Sequence, residues 1–337
     1  MPEHVDPSEQ DAIAEWVRKT VHAQPPIRVN ALAGDASVRR FYRVRDGLQR
    51  RWVVMVCPPS LAEQFHTMLA VYDTLRTIAW PIPCIHAVDP RRRWVVMDDA
   101  GDPVVTWVSE RIARAQWYPV RAAYHAWLTA WENLQQLRTD ESPLPAHHPI
   151  VQRDLNQRVD FEMEFFMRHF LIEWMGHPLT QRDITRIRAG LAPVCRSFRA
   201  MPRYICHRDY HARNILRRND DFTIVDYQDM QYGPRAYDPV SLLRDCYIIL
   251  PDAVYTPLRT WLRNHIPDDL EWTLVAIQRH LKALGTFGYQ IVHRQRLFYR
   301  PAIRNALDYL LTGELAAVPH LYRILHPLLE DARTRVE

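Results

Sequence analysis

With 337 residues, of which 47% are hydrophobic and 24% charged, the chain has the composition of a folded protein large enough for two lobes. No stretch approaches the ~18 consecutive apolar residues of a membrane helix, and the polar N-terminus MPEHVDPSEQ does not resemble a secretory signal. The five cysteines form no C-x-x-C pair and the net charge of +4 is not concentrated in a long basic run, so we expect a cytoplasmic protein that binds neither nucleic acid nor membrane.

The first hundred residues predict strands with one or two helices, and their order suggests an antiparallel sheet with one helix packed on it. Alternating runs flank a Gly-Asp turn in RVNALAGDASVRRFYRV (28–44), and β-branched runs follow at RWVVMVCPP (51–59), CIHAVDP (84–90) and RRWVVMDDAG (92–101). Residues 60–78 carry apolar side chains at helical spacing: Leu61, Phe65, Met68, Leu69, Tyr72 and Leu75.

After about residue 100 the pattern becomes mostly helical, interrupted by a Pro/His break at 142–149 and a short strand, FTIVD, at 222–226. We therefore predict an α+β protein of two lobes. Residues 1–100 would form a small N-terminal nucleotide-binding lobe, and residues 101–337 a larger helical lobe with the catalytic loop and the substrate site.

The segment HRDYHARN (207–214) places a carboxylate, Asp209, five residues before a carboxamide, Asn214. Kinase-like enzymes use the pattern H-R-D-x-x-x-x-N for phosphoryl transfer from ATP, the Asp facing the attacking hydroxyl and the Asn binding Mg²⁺. A capped turn is one alternative. Another is a metal site from His207, Asp209 and His211, which would share one face of an extended segment.

The segment TIVDYQD (223–229) favours the kinase interpretation. Its β-branched run ends at Asp226, where such enzymes keep a second Mg²⁺ ligand, and carboxylate and carboxamide oxygens suit this ion. Asp209 is thus the candidate catalytic base, with Asn214 and Asp226 as metal ligands. We interpret Asp229 as a turn residue in preference to a ligand of a second metal, Asp238 as an anchor or helix cap, and His207 as a structural residue of the loop.

These motifs resemble the aminoglycoside phosphotransferase and choline kinase-like superfamily, which has a bilobal protein-kinase-like fold. Asp226-Tyr227-Gln228 lacks the final Gly of a protein kinase's D-F-G. Six segments, in order, are more specifically similar to bacterial anomeric N-acetylmuramate/N-acetylglucosamine kinases of cell-wall recycling: GDASVRRFYRV, VVMVCPP, VVMDDAG, HRDYHARNI, VDYQDMQYGPRAYDPVSLLRD and QRHLKALGTF.

The resemblance implies ATP and Mg²⁺ as cofactors and a small-molecule sugar as substrate. It implies Asp209 as base and Asn214 and Asp226 as magnesium ligands. It also implies that the turn Gly34, Asp35, Ala36 and Ser37 covers the nucleotide phosphates, although a Gly-Asp turn by itself equally predicts a plain hairpin.

The strand RWVVMVCPP lacks the lysine with which protein kinases hold the α/β-phosphates, and the chain's lysines are only Lys19 and Lys282. One interpretation is an inactive kinase. Another is that arginine replaces the lysine, with Arg39, Arg40 and Arg43 as candidates, since guanidinium binds phosphate bidentately. The anomeric sugar kinases resembled here also tend to lack this lysine.

Substrate recognition stays open between two interpretations. Arg279, His280 and Lys282 in QRHLKALGTF, together with Arg168 in the helical stretch 160–171, are candidates for binding a carboxylate-bearing sugar, or they are solvated helix charges. Alternative functions are a generic aminoglycoside- or choline-type small-molecule O-phosphotransferase and a nucleotide-binding pseudokinase. We expect the protein to be a monomer.

Overall fold

The computed structural model describes residues 7–32, 38–137 and 144–336. The chain divides into two compact units, the first comprising Met1–Asp102 and Ile215–Gln228 and the second Pro103–Asn214 and Asp229–Glu337. The first unit thus takes in a segment that lies beyond the predicted lobe boundary at residue 100. The roles assigned to the two predicted lobes stay predictions.

The described residues form ten β-strands. They are β1 (Arg28–Leu32), β2 (Arg40–Arg45), β3 (Arg51–Val56), β4 (Ile85–Asp89), β5 (Trp94–Asp98), β6 (Asp102–Pro103), β7 (Tyr204–Cys206), β8 (Ile215–Arg218), β9 (Asp221–Ile224) and β10 (Gln231–Gly233).

The same residues form eleven α-helices. They are α1 (Pro7–Thr20), α2 (Ala62–Thr77), α3 (Val105–Ala113), α4 (Trp117–Leu134), α5 (Leu155–Phe166), α6 (Gln181–Ala200), α7 (Tyr237–Leu243), α8 (Asp252–Leu262), α9 (Asp269–Arg294), α10 (Arg300–Tyr309) and α11 (Pro319–Val336). Two further segments, Met167–Trp174 and Leu310–Glu314, are π-helical. Short 3-10 turns lie at Pro59–Leu61, Gln135–Leu137, Tyr227–Asp229, Leu297–Tyr299 and Leu315–Ala317.

The first unit is built on a five-stranded antiparallel sheet with the order β1–β2–β3–β5–β4. Its middle strand β3 is buried from Trp52 to Val56, with Val54 opposite Val96 of β5. Successive side chains of a strand point to opposite faces of the sheet. Because β3 is covered on both faces, it needs an unbroken run of apolar residues.

Two helices belong to this unit. Ile13 and Val17 of α1 join a core cluster with Tyr42, Val54 and Val96, which places α1 on one face of the sheet. The helix predicted between β3 and β4 is α2, and the hydroxyl of Tyr72 on α2 accepts a hydrogen bond from the Ile85 backbone N–H of β4 at 2.8 Å. The sequence therefore predicted α2, whereas α1 is an addition to the expected lobe.

The antiparallel hairpin β8–β9 completes the first unit. The backbone N–H of Ile224 donates to the Pro81 carbonyl at 2.7 Å, and Arg218 donates to the Asp99 carbonyl at 3.2 Å. Gly101 adopts a φ of +91°, and a Cβ added there would lie 2.1 Å from the Arg217 carbonyl oxygen. Glycine is therefore required where the chain passes this hairpin.

The second unit is mostly helical, with the two-stranded pair β7–β10 as its sheet. Local sequence signals explain several helix starts: Asp154 caps α5, a Thr180–Asp183 capping box starts α6, and Asp268 caps α9. Helix α9 is the longest described helix and is buried along most of its first twenty residues. Among the described residues, no helix is both long and apolar enough to cross a membrane.

Candidate active site

The segment after β7 carries the predicted catalytic loop, and two buried carboxylates hold its backbone. The Asp238 carboxylate accepts hydrogen bonds from the N–H groups of His207 (2.6 Å) and Arg208 (2.9 Å). Asp245 accepts from the Ala212 N–H at 2.9 Å. Burial raises the pKa of Asp238 to about 7 and that of Asp245 to about 6. Asp238, which the sequence suggested as an anchor or helix cap, thus anchors the backbone of this loop. The sequence did not predict that Asp245 holds the same loop.

The backbone just before Asp209 is in an unusual conformation. Arg208 has a φ of +79°, in the left-handed region that residues with a Cβ rarely adopt. Such a conformation costs about 1–3 kcal/mol and persists only where its surroundings impose it. The two hydrogen bonds to Asp238 are the restraint that imposes it here.

Two cations from α9 contact the Asp209 carboxylate. The Lys282 ammonium lies 3.1 Å from Oδ1, and the Arg279 guanidinium lies 3.5 Å from the same oxygen. Burial alone would raise the pKa of Asp209, but Lys282, Arg208 and Arg279 together hold it well below its usual range. Asp209 is therefore ionised at neutral pH. The sequence showed Arg279 and Lys282 as candidates but did not show that they reach this carboxylate.

Asp209 lines an open pocket that lies within the second unit. Arg244, Arg279 and Lys282 line it as well, and the aromatic rings of Tyr247 and Phe287 form part of its wall. The pocket therefore combines several cations, an ionised carboxylate and apolar surface.

Asn214 and His211, the other polar candidates of the predicted catalytic loop, each have their own contacts. Asn214 donates a hydrogen bond from its side-chain nitrogen to the Asp209 carbonyl at 2.9 Å, which directs its nitrogen inward to the loop. Burial lowers the pKa of His211 to about 3, and its ring lies against Tyr247 at 5.3 Å. Within the described part of the chain, the alternative metal site of His207, Asp209 and His211 is not among the groups whose donor atoms come together.

In the first unit, Asp226 also has a left-handed backbone, with a φ of +68°. Its Oδ1 accepts hydrogen bonds from Gln228 (2.8 Å) and Arg39 (3.2 Å). Of the three arginines proposed to replace the missing lysine, Arg39 contacts this predicted metal ligand, whereas Arg40 pairs with Glu9 and Arg43 with Asp99.

The remaining candidates lie apart from the pocket or outside the described residues. Asp229 forms an ion pair with Arg153 at 3.2 Å, in agreement with a structural role. Arg168 is largely exposed and pairs with Glu173. His280 lines the pocket, but its Nδ1 lies 2.7 Å from Glu314. The predicted phosphate-binding turn of Gly34, Asp35, Ala36 and Ser37 lies outside the described residues.

Comparison with known proteins agrees with the kind of enzyme that the loop motif indicates. Residues 28–272 match the model of the phosphotransferase enzyme family. A Pseudomonas putida protein named N-acetylmuramate/N-acetylglucosamine kinase is 27% identical over 285 residues, which cover 80% of this chain and 78% of the relative. A Neisseria meningitidis protein of the same name is 26% identical, with 96% of both chains covered.

Solved structures share the fold. The choline kinase LicA from Streptococcus pneumoniae superposes with a TM-score of 0.60 at 10% identity and covers 92% of this chain and 99% of its own. The gentamicin complex of APH(2")-IIa also gives 0.60, at 14% identity, and covers 90% and 96%. These structures confirm the predicted α+β, protein-kinase-like fold, with its small antiparallel sheet and its mostly helical second part. The chain belongs to the phosphotransferase enzyme family, and it is an enzyme that transfers a phosphoryl group to a hydroxyl acceptor.

Proposed function

We propose that this protein is an ATP- and Mg²⁺-dependent kinase that phosphorylates the anomeric hydroxyl of N-acetylmuramate, N-acetylglucosamine or both, and that it acts in peptidoglycan recycling in the cytoplasm. Three relatives at 26–28% identity that are named N-acetylmuramate/N-acetylglucosamine kinase support this substrate class. The residues of the pocket support it independently, since their charges distinguish among the acceptors of the wider family.

The charge of the pocket is the observation that carries the proposal. Arg244, Arg279 and Lys282 line it together with Asp209 and Asp245. Its arginine and lysine side chains outnumber its carboxylates. A polycationic aminoglycoside would be repelled here, whereas the lactyl carboxylate of N-acetylmuramate would be attracted. The rings of Tyr247 and Phe287 offer apolar surface to a sugar.

Asp209 would orient the acceptor hydroxyl and take its proton late in the transfer. A carboxylate whose pKa is held well below its usual range is a weak base, so early proton removal is not its main contribution. Transition states of phosphoryl transfer are loose and demand little from a base. An anomeric hydroxyl, more acidic than other sugar hydroxyls, further reduces that demand.

The residues present fit a magnesium ion. Asn214 uses its side-chain nitrogen within the loop, which leaves its amide oxygen as the metal-binding atom. The Asp226 carboxylate already attracts the Arg39 guanidinium, so it is a site where positive charge is favourable. Oxygen donors of these two kinds suit Mg²⁺, which would neutralise charge on the phosphates when bound. Arg39 is then the residue best placed to take over the role of the missing lysine.

The test is ATP consumption measured with a panel of acceptors: N-acetylmuramate, N-acetylglucosamine, N-acetylgalactosamine, kanamycin and choline. We expect turnover with the first two, and a product in which ³¹P–¹³C coupling in the NMR spectrum locates the phosphate on the anomeric carbon. Turnover only with kanamycin or choline would identify a generic O-phosphotransferase. Nucleotide binding without turnover of any acceptor would identify a pseudokinase.

Ionic strength gives a second, independent readout of the charge argument. The KM for N-acetylmuramate should rise with salt, because salt screens attraction between its carboxylate and the pocket cations. The KM for the neutral N-acetylglucosamine should change little. Sedimentation velocity would check the expected monomer in the same buffers.

A further inference from the structure

A cluster of three potential metal ligands lies outside the pocket, in the second unit. His169 Nδ1, Glu173 Oε2 and His293 Nε2 all lie within 4.8 Å of one another. Both imidazoles approach the same carboxylate oxygen, His169 at 2.6 Å and His293 at 2.7 Å. The two histidines come from different elements, one from the π-helical segment Met167–Trp174 and one from the last turn of α9.

Two features of the sequence bring these elements together. The π-helical segment has a wider turn than an α-helix, and such turns frequently occur at functional sites. Helix α9 faces this segment and the end of α5 with two glycines. A Cβ on Gly285 would lie 2.8 Å from the Phe166 Cα, and one on Gly288 would lie 2.4 Å from the His169 carbonyl oxygen. Helix α9 can therefore approach its neighbours this closely only because Gly285 and Gly288 have no side chains. This approach brings His293 to Glu173.

Neighbouring groups hold the three ligands in place. The His169 ring is packed by the rings of Phe165, with centroids 4.1 Å apart, and Tyr289, at 5.1 Å. Arg168 donates to the other oxygen of Glu173, Oε1, at 3.1 Å. A carboxylate ligand in a metal site is commonly oriented by an outer hydrogen bond of this kind.

The access of the cluster is also suitable. The side chain of His169 is 9% exposed, that of Glu173 22% and that of His293 41%. His169 is thus held in the protein interior, whereas His293 is open to solvent.

We propose that His169, Glu173 and His293 bind one Zn²⁺ ion, with solvent as the fourth ligand. Two imidazole nitrogens and one carboxylate oxygen are a donor set that zinc uses. Bonds of ~2.0–2.1 Å in a tetrahedron separate the ligand atoms by roughly 3.3 Å. The contacts of both imidazoles with Glu173 Oε2, 2.6 Å for His169 and 2.7 Å for His293, would therefore each have to lengthen by roughly 0.6 Å to admit the ion.

Bound zinc would join the end of α9 to the π-helical segment. Helix α9 also carries Arg279 and Lys282, so the ion would stabilise the helix that presents the pocket cations. Mg²⁺ and Ca²⁺ prefer all-oxygen sites and are not expected here. The proposal does not depend on the identity of the acceptor sugar.

The test uses the full chain without a polyhistidine tag, treated with a chelator and titrated with ZnCl₂ by isothermal calorimetry. All proteins carry Cys84→Ser, because this exposed thiol is an alternative zinc ligand. We expect one saturable site per chain, a rise in Tm with zinc, and visible absorption typical of tetrahedral cobalt when Co²⁺ replaces zinc. Excess Mg²⁺ should not compete.

The decisive comparison is between two histidine variants. His293→Asn should weaken zinc binding at least about tenfold and abolish the zinc-dependent rise in Tm. His326→Asn is the matched control, because His326 is also a partly exposed helical histidine beside a glutamate, Glu330 at 3.6 Å, and it should bind zinc like the parent protein. The absence of saturable zinc binding to the parent, or equal binding by both variants, would overturn the proposal. Circular dichroism without zinc checks that each variant is folded.

Discussion

At the scale of single residues, the environment of Asp209 is the central feature of the protein. A carboxylate that faces Lys282 and Arg279 remains ionised over the physiological range. Opposite charges in a buried setting interact far more strongly than they would in water. The same two cations line the pocket, so one pair of side chains both keeps Asp209 charged and adds positive charge to the pocket.

Replacing Asp209 by asparagine tests the assignment of the base. Asp209→Asn keeps the size of the side chain but removes its charge. We expect kcat to fall about 10²–10⁴-fold, because the side chain would no longer orient the acceptor hydroxyl and accept its proton late in the transfer. Nucleotide affinity, measured by calorimetry, should change little. Full activity in this variant would remove Asp209 from the mechanism.

Replacing Lys282 by methionine tests the role of the pocket cation. Because Lys282 lowers the pKa of Asp209, its loss should move the acid limb of the kcat/KM profile to higher pH. The KM for N-acetylmuramate should also rise more than the KM for N-acetylglucosamine. Lys19→Met is the matched control, since Lys19 is the chain's other lysine and pairs with Glu15 on the surface. A pH profile unchanged by Lys282→Met would contradict the role.

At the scale of elements, α9 organises the second unit. It contributes Arg279 and Lys282 to the pocket and His280 to a buried ion pair. Its two glycines allow close contact with the end of α5 and with the π-helical segment. Because interiors are close-packed, a single added methyl group at such a contact shifts the backbone or the neighbouring helix.

Gly288→Ala should therefore destabilise the protein. The new Cβ would meet the His169 carbonyl oxygen, a backbone atom that cannot move aside freely. We expect a loss of about 1–3 kcal/mol, seen as a fall of several degrees in Tm. Gly313→Ala is the control, because a Cβ added at Gly313 would meet no neighbouring atom within 4 Å, and it should leave Tm unchanged or raise it. Equal effects of the two substitutions would show that helix packing does not depend on Gly288.

The His280–Glu314 pair gives α9 a predictable pH dependence. Burial opposes a charge on His280, but Glu314 raises its pKa to about 10, from 6.5. A raised histidine pKa contributes stability that is fully present below pH 6.5 and is lost as the pH rises through 10. The difference in Tm between the wild type and His280→Gln should accordingly narrow between pH 6.5 and pH 10 in thermal melts. A constant difference over this window would show that His280 is not protonated in the folded protein.

At the scale of the whole molecule, the first unit is assembled from two distant parts of the chain. The hairpin β8–β9 follows the catalytic loop in sequence, yet it belongs to the same unit as the five-stranded sheet. Arg39 reaches Asp226 across 187 positions of sequence. A unit defined only by residues 1–100 would omit this hairpin.

A pair of fragments tests this organisation. Residues 1–102 joined by a Gly/Ser linker to residues 215–228 should unfold at a higher temperature than residues 1–102 alone. The joined fragment keeps the Ile224–Pro81 and Arg218–Asp99 hydrogen bonds and retains the buried side chains of Ile215 and Ile224. Identical melting curves by circular dichroism would show that the hairpin contributes nothing to the stability of this unit.

The sequence by itself determined the features whose causes are local. Alternating and β-branched runs predicted β1 to β5, and apolar residues at helical spacing predicted α2 between residues 60 and 78. The motif HRDYHARN, together with TIVDYQD and the other similar segments, indicated the family. In these segments neighbours in sequence are also neighbours in space, so spacing carries the information. The strand expected at 222–226 was nearly right, since β9 ends two residues before Asp226.

The tertiary structure alone decided which distant side chains meet. Arg279 and Lys282 lie 70 and 73 positions from Asp209 in sequence, and the π-helical turn after α5 has the same apolar pattern as an ordinary helix. Such ion pairs and helix contacts form only where the backbone brings distant residues together. The packing of the whole core determines the course of the backbone. Local spacing therefore predicts a catalytic loop, whereas the charge of its pocket and a cluster such as His169, Glu173 and His293 follow only from the fold.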